Sequence, residues 1–182
     1  MKRLITIGVA LLAVMSLTAC SSSSKDSKSA SSSKNSDVHT VKTETKRSQY
    51  FKNNFLKLNE MTLKITKTKL IPAGNKGNEY SDKTVFAVWY TIKNTGKDTD
   101  IDAVSAALVL SASQDSKNSV KSLEVASNPD QKLTDIQDDK IKKGKSGNGS
   151  MAWEVRNNNP ITLTATGLHT TTKIGTQVYK IK

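Results

Sequence analysis

From Tyr50 onward, apolar residues recur in short alternating runs, and each run predicts a strand. Phe55-Leu56-Lys57-Leu58 is a brief apolar stretch, followed by Asn59-Glu60, which suit a turn. Met61, Leu63 and Ile65 then alternate with Thr62, Lys64 and Thr66, the mark of a half-buried strand. Leu70 and Ile71 extend it until Pro72 stops the pairing, and residues 73–82 read as a loop. Residues 85–93 form the clearest strand. Phe86, Val88, Tyr90 and Ile92 fall on one face, and Val85, Ala87, Trp89 and Thr91 on the other. A strand apolar on both faces is expected at the centre of a sheet, covered by a partner sheet on one side and partly by loops on the other.

Asn94-Thr95-Gly96 ends that strand as a turn. Residues 103–112 are alanine-rich and fit either a strand or a short helix. Leu123 and Val125 mark a short strand before Asn128-Pro129-Asp130, and the Gly/Ser/Asn stretch after Gly144 is expected to be a loop. Met151, Trp153 and Val155 alternate with polar or small neighbours, as do Ile161, Leu163 and Ala165. A last strand begins near Gly175 and carries Tyr179 and Ile181. About seven short strands separated by turn signals predict an all-β, antiparallel β-sandwich.

The N-terminal third follows a different pattern. Met1-Lys2-Arg3 is a short positive segment, and residues 4–15 are apolar apart from Thr6 and Gly8. As a helix this run would rise about 18 Å, too short for a hydrocarbon core of about 30 Å, so it reads as a signal-peptide core. Leu17-Thr18-Ala19-Cys20 resembles the lipobox of bacterial lipoproteins. That resemblance implies recognition of Leu17, Thr18 and Ala19 by the signal peptidase, lipidation of Cys20, and display of the rest on the extracytoplasmic face of the membrane. Two acyl chains on one cysteine suffice for stable anchoring. The alternative is ordinary cleavage that leaves Cys20 a free thiol. After Cys20 the chain is serine-rich and nearly free of apolar side chains, and such a segment cannot offset the entropy of ordering its backbone. The expected organisation is a signal peptide at 1–19, a disordered tether at 20–49 and the sandwich domain at 50–182.

Composition narrows the picture further. Hydrophobic residues make up 35% of the chain and aromatics 5%, so the core must come from Val, Ile, Leu and Ala. The 28 Lys and Arg outnumber the 16 Asp and Glu, for a net charge of +12; loss of Lys2 and Arg3 with the signal peptide leaves +10. That balance favours anionic surroundings such as acidic lipids or wall polymers. Because the basic residues form no compact motif in sequence, weak attraction through dispersed lysines is expected rather than a dedicated pocket. With one cysteine the domain has no internal disulfide and must be stable by burial alone. A monomer is expected.

The hairpin at 55–70, Val88-Trp89-Tyr90-Thr91-Ile92-Lys93-Asn94-Thr95, Gln114-Asp115, Ile141-Lys142-Lys143-Gly144 and Pro160-Ile161-Thr162-Leu163 are together similar to small immunoglobulin-like domains of Gram-positive lipoproteins. The nearest group is a domain family of unknown function. The resemblance implies an immunoglobulin-like sandwich and an extracytoplasmic location, and it supplies no catalytic residues.

Candidate chemistry is sparse. Gly144-Lys145-Ser146 lacks the earlier glycine of a phosphate-binding loop, having Asp139 in its place. Asp98, Asp100 and Asp102 alternate and could offer oxygen ligands to Ca²⁺, against the plainer reading of solvated acids. Asp135, Asp138 and Asp139 lie beside Lys140, Lys142 and Lys143, which would neutralise them. His39 falls in the tether, leaving His169 as the one imidazole around which a secreted envelope hydrolase could be built. Trp89 and Trp153 could line a carbohydrate groove, although packing between sheets is the simpler role for both. Nucleic-acid recognition would need clustered basic residues among stacking aromatics, and it is not expected. The sequence thus points to a non-enzymatic binding module without metal or cofactor, held to the membrane through lipidated Cys20 and meeting an anionic wall polymer or an envelope protein.

Overall fold

The computed structural model describes residues 48–97 and 100–181, all within the compact unit Glu44–Lys182. The lipobox Leu17–Cys20, nearly all of the tether and Asp98 lie outside the described residues. Among the described residues, ten strands form two sheets. They are β1 (Tyr50–Lys52), β2 (Phe55–Lys57), β3 (Met61–Ile71), β4 (Val85–Asn94), β5 (Leu110–Asp115), β6 (Val120–Ser122), β7 (Val125–Ala126), β8 (Ser146–Glu154), β9 (Ile161–Thr166) and β10 (Lys173–Tyr179). The larger sheet runs β1-β2-β3-β4-β8-β7 and the smaller β10-β9-β5-β6, with every pairing antiparallel. Two short helices, α1 (Ser105–Val109) and α2 (Gln131–Thr134), sit in the connections.

The core lies between the sheets. Leu63, Val88, Ile92 and Trp153 from the larger sheet meet Leu110, Ile161 and Leu163 from the smaller, and all are buried. The chain is an antiparallel all-β sandwich. β4 is central, as its two apolar faces require, and its inner residues are those expected: Phe86, Val88, Tyr90 and Ile92.

A bulge between Ile65 and Lys67 reverses the alternation of β3. Before it Met61, Leu63 and Ile65 point inward; after it Leu70 does, while Lys67, Lys69 and Ile71 turn outward with Trp89, Ala87 and Val85. Ile71, Val85, Ala87 and Ala152 form a second small apolar cluster on the outer face.

Three differences from the sequence reading have physical causes. β1, β5 and β6 add to the seven strands expected. β1 and β6 are three residues each, shorter than an alternation needs to be seen, and β1 is fixed by a turn at Asn53-Asn54 with φ of 52° and 62°. Residues 103–112 are both things in succession, since α1 runs directly into β5. The stretch expected as a loop after Gly144 is the first half of β8. Its glycines serve close packing: a Cβ at Gly149 would lie 2.5 Å from the Tyr90 ring, and one at Gly147 would lie 2.8 Å from Ile141 Cδ1.

Candidate functional site

The outer face of the larger sheet is where the side chains outside the core converge. Side chains alternate along a strand, so Leu56 and Leu63 facing in send Phe55, Lys57, Thr62 and Lys64 outward. The register then places Lys52, Phe55, Lys64 and Thr91 in one row across β1 to β4, and Tyr50, Lys57, Thr62 and Lys93 in the next. Beyond the bulge Lys67 stands beside Trp89 and Lys69 beside Ala87. Six exposed lysines, Lys52, Lys57, Lys64, Lys67, Lys69 and Lys93, therefore share one face, and β1 to β4 contain no Asp or Glu. Adjacent strands are about 4.8 Å apart and alternate residues about 6.8 Å apart, so lysines that are diagonal or alternate neighbours on this face lie about 7–8 Å apart, comparable to the Debye length of about 8 Å in physiological salt. At that spacing the potentials of neighbouring ammonium groups add.

The face leads into a groove of about 1140 Å³ beside Trp89, walled by residues 76–80 on one side and residues 125–132 on the other. Each wall is fixed by local chemistry. Asn78 is buried and donates from Nδ2 to the carbonyls of Ile71 (2.9 Å) and Lys83 (2.8 Å), closing the base of the loop. Gly77 has φ +89°, and a Cβ there would meet the Pro129 carbonyl at 2.6 Å, so only glycine lets the walls touch. Opposite, Ser150 Oγ donates to Asn128 Oδ1, which also accepts from the Asp130 amide at 3.1 Å.

Trp89 is half-buried and held twice. Its Nε1–H donates to Asp130 Oδ2 at 3.2 Å, and Lys67 Nζ lies over the ring, 4.6 Å from its centroid. Lys69, Lys76 and Lys132 also line the groove, against the carboxylates of Asp130 and Glu79. The Gly77 backbone amide, with that of Glu79 itself, holds the Glu79 carboxyl below its ordinary range, so it is anionic at neutral pH.

The other residues singled out in the sequence fall elsewhere. Trp153 is 1% exposed and stacks on Phe86 in the core, on the opposite face of the sheet from Trp89. A carbohydrate groove lined by both tryptophans is therefore ruled out by register. Asp100 and Asp102 lie 3.5 and 3.7 Å from Lys140 Nζ. Asp102 Oδ1 also accepts from the Ser105 amide and hydroxyl, fixing the turn into α1. His169 is exposed in the turn between β9 and β10, and from Val155 to the C-terminus the chain has no Asp or Glu. Among the described residues no three His, Cys, Asp or Glu side chains come together as a metal site.

The lysine face went unread in the sequence. Its signal was present, because Lys64 occupies a polar position of a predicted strand and Lys93 ends another. Only the strand order shows that these positions are neighbours, and only the bulge adds Lys67 and Lys69.

A family model described as a domain of unknown function (DUF5067) matches residues 19–167. No curated protein matches. A candidate lipoprotein from Staphylococcus aureus subsp. aureus NCTC 8325 has a similar structure, with a TM-score of 0.62 and 21% identity over 72% of this chain and 91% of that one. A protein from Enterococcus faecalis solved by NMR gives 0.53 and 23% identity over 74% and 94%. A candidate lipoprotein from Bacillus subtilis subsp. subtilis str. 168 gives 0.50 and 19% identity over 72% of this chain but only 39% of its own. At these identities the likeness is one of fold.

Proposed function

We propose that this chain, which belongs to the DUF5067 family of domains of unknown function, is a lipid-anchored, extracytoplasmic immunoglobulin-like module that holds an anionic envelope polymer on the outer face of its larger sheet. The anchor reading rests on Leu17–Cys20, and the candidate lipoproteins of similar fold support it. The ligand reading rests on one observation: six lysines share a face on which β1 to β4 contribute no carboxylate.

The chemistry favours a phosphodiester-type polymer. Ammonium groups are compact, strongly hydrated point charges that meet phosphate without demanding a fixed geometry. A neutral glycan is disfavoured because it would have to displace Lys67 from the Trp89 ring to stack there, whereas an anion gains Lys67 as a partner. Nucleic acid is disfavoured by the same contact, since base stacking needs a free aromatic face.

The test is a salt titration of residues 20–182 carrying Cys20→Ser, on immobilised polyol-phosphate polymer and on a neutral glycan. If counterion release drives binding, the slope of log affinity against log salt follows the number of engaged lysines. Lys52→Gln, Lys57→Gln and Lys64→Gln together remove three of the six and should flatten that slope by about half. Replacing Lys117, Lys121 and Lys173, which are exposed elsewhere, should leave it nearly unchanged. Equal loss from both triples would restore the dispersed-charge reading. Salt-insensitive binding to the neutral glycan would overturn the electrostatic one.

A further inference from the structure

The groove differs from the lysine face in one respect that the polymer reading leaves unused: its rim is apolar as well as basic. Tyr80 is 90% exposed and Val125 67% exposed, and both line the groove with Lys76 and Lys132. Neither side chain belongs to a core cluster, so folding does not account for them. Tyr80 stands on an irregular loop between β3 and β4 whose base is closed by Asn78. An amphipathic ring and an aliphatic side chain beside flexible ammonium groups suit a membrane–water interface. There tyrosine sits at headgroup level, and lysine extends its charge toward acidic lipid.

We infer that this rim docks on the anionic bilayer surface, with Tyr80 and Val125 entering the interface and Lys76 and Lys132 meeting acidic phospholipid headgroups. Two features argue for a bilayer over a protein partner. The apolar groups are exposed at the rim, and the groove's charged lining is four lysines (Lys67, Lys69, Lys76, Lys132) against two carboxylates, Glu79 and Asp130. The inference goes beyond the polymer reading, which rests on the six lysines of the sheet face; Lys67 and Lys69 also line the groove, but Tyr80, Val125, Lys76 and Lys132 belong to its rim alone. One domain could thus touch membrane and polymer together.

The experiment uses residues 20–182 with Cys20→Ser, so that no acyl chain contributes. Co-sedimentation is measured with phosphatidylglycerol-containing vesicles and with pure phosphatidylcholine vesicles. Binding should appear with the former and be much weaker with the latter. Lys76→Gln and Lys132→Gln should each weaken it about fivefold. Tyr80→Ser with Val125→Ser should weaken it about tenfold and leave retention on polyol-phosphate polymer unchanged. Both residues are exposed, so these variants should fold normally. Trp89 in the groove should shift its emission to the blue on binding, over a constant background from buried Trp153. Equal binding of the Tyr80→Ser/Val125→Ser variant and the unaltered chain would overturn the inference, as would equal binding to both vesicle types. So would a protein that self-associates through this rim, seen as concentration-dependent sedimentation abolished by the same two substitutions. Loss of polymer binding in the Lys52/Lys57/Lys64 variant is read separately and bears only on the polymer.

Discussion

Gly149→Ala adds one methyl group, and the structure says how it should fail. Gly149 on β8 is the cross-strand partner of Tyr90 on β4, and a Cβ built there lies 2.5 Å from Tyr90 Cε2 and 2.7 Å from Cζ and Oη. Ordinary contact begins near 3.4 Å, so the ring must retreat by almost 1 Å. Tyr90 is 4% exposed, packed in the core, and its hydroxyl donates to the Ala103 carbonyl at 3.0 Å. Overpacking costs about 1–3 kcal/mol, and losing the hydroxyl's partner adds about 1 kcal/mol. Against this, alanine recovers about 0.5–1 kcal/mol of the entropic cost of glycine in a strand. The net expectation is a destabilisation of about 2 kcal/mol. Urea denaturation followed by Trp153 fluorescence measures it, as a lower midpoint at unchanged slope. The double-mutant cycle isolates the cause: in a Tyr90→Leu background, which leaves room for the methyl group, Gly149→Ala should cost little or even stabilise. An equal penalty in both backgrounds would refute the argument that the ring dictates the glycine.

The faces of β4 make a second test: Ile92→Asp, at 0% exposure between the sheets, should cost several kcal/mol and unfold the domain by circular dichroism, whereas exposed Lys93→Asp should change stability by under about 0.5 kcal/mol. Because Lys93 lies on the basic face, that second variant should still weaken polymer retention while folding normally. Burial pushes the Tyr179 phenol up to about 12 and the Tyr90 phenol up further, with Asp102 adding to the shift at Tyr90. Their folded-state values exceed the unfolded ones, so the unfolded chain loses these protons first and stability should fall as pH rises from about 10 to 12; a flat urea midpoint across that window would contradict it. For the anchor, Cys20→Ala should abolish lipid attachment and leave the protein uncleaved or released, and membrane retention of a fully processed variant would defeat the lipobox reading.

The sequence by itself determined the class of fold and most of its parts. The alternation in β3, β4, β8 and β9 follows from burying one face of each strand, and the doubly apolar residues 85–93 could only lie at the centre of a sheet. The lipobox reading of Leu17–Cys20 rests on a linear pattern alone, since those residues lie outside the described structure. What the tertiary structure decided were properties of neighbours. Gly147 and Gly149 looked like loop residues because glycine disfavours strands; they lie in β8 because Ile141 and the Tyr90 ring occupy the space where their side chains would be. Trp89 and Trp153 looked equivalent, and the pairing of β4 with β8 put one in the groove and the other in the core. The lysines looked dispersed because they are separated along the chain by turns and apolar residues. Hairpin register and the bulge after Ile65 bring them onto one face as diagonal or alternate neighbours about 7–8 Å apart. Charge density is a property of a surface, and a linear sequence carries it only once the strand order is known.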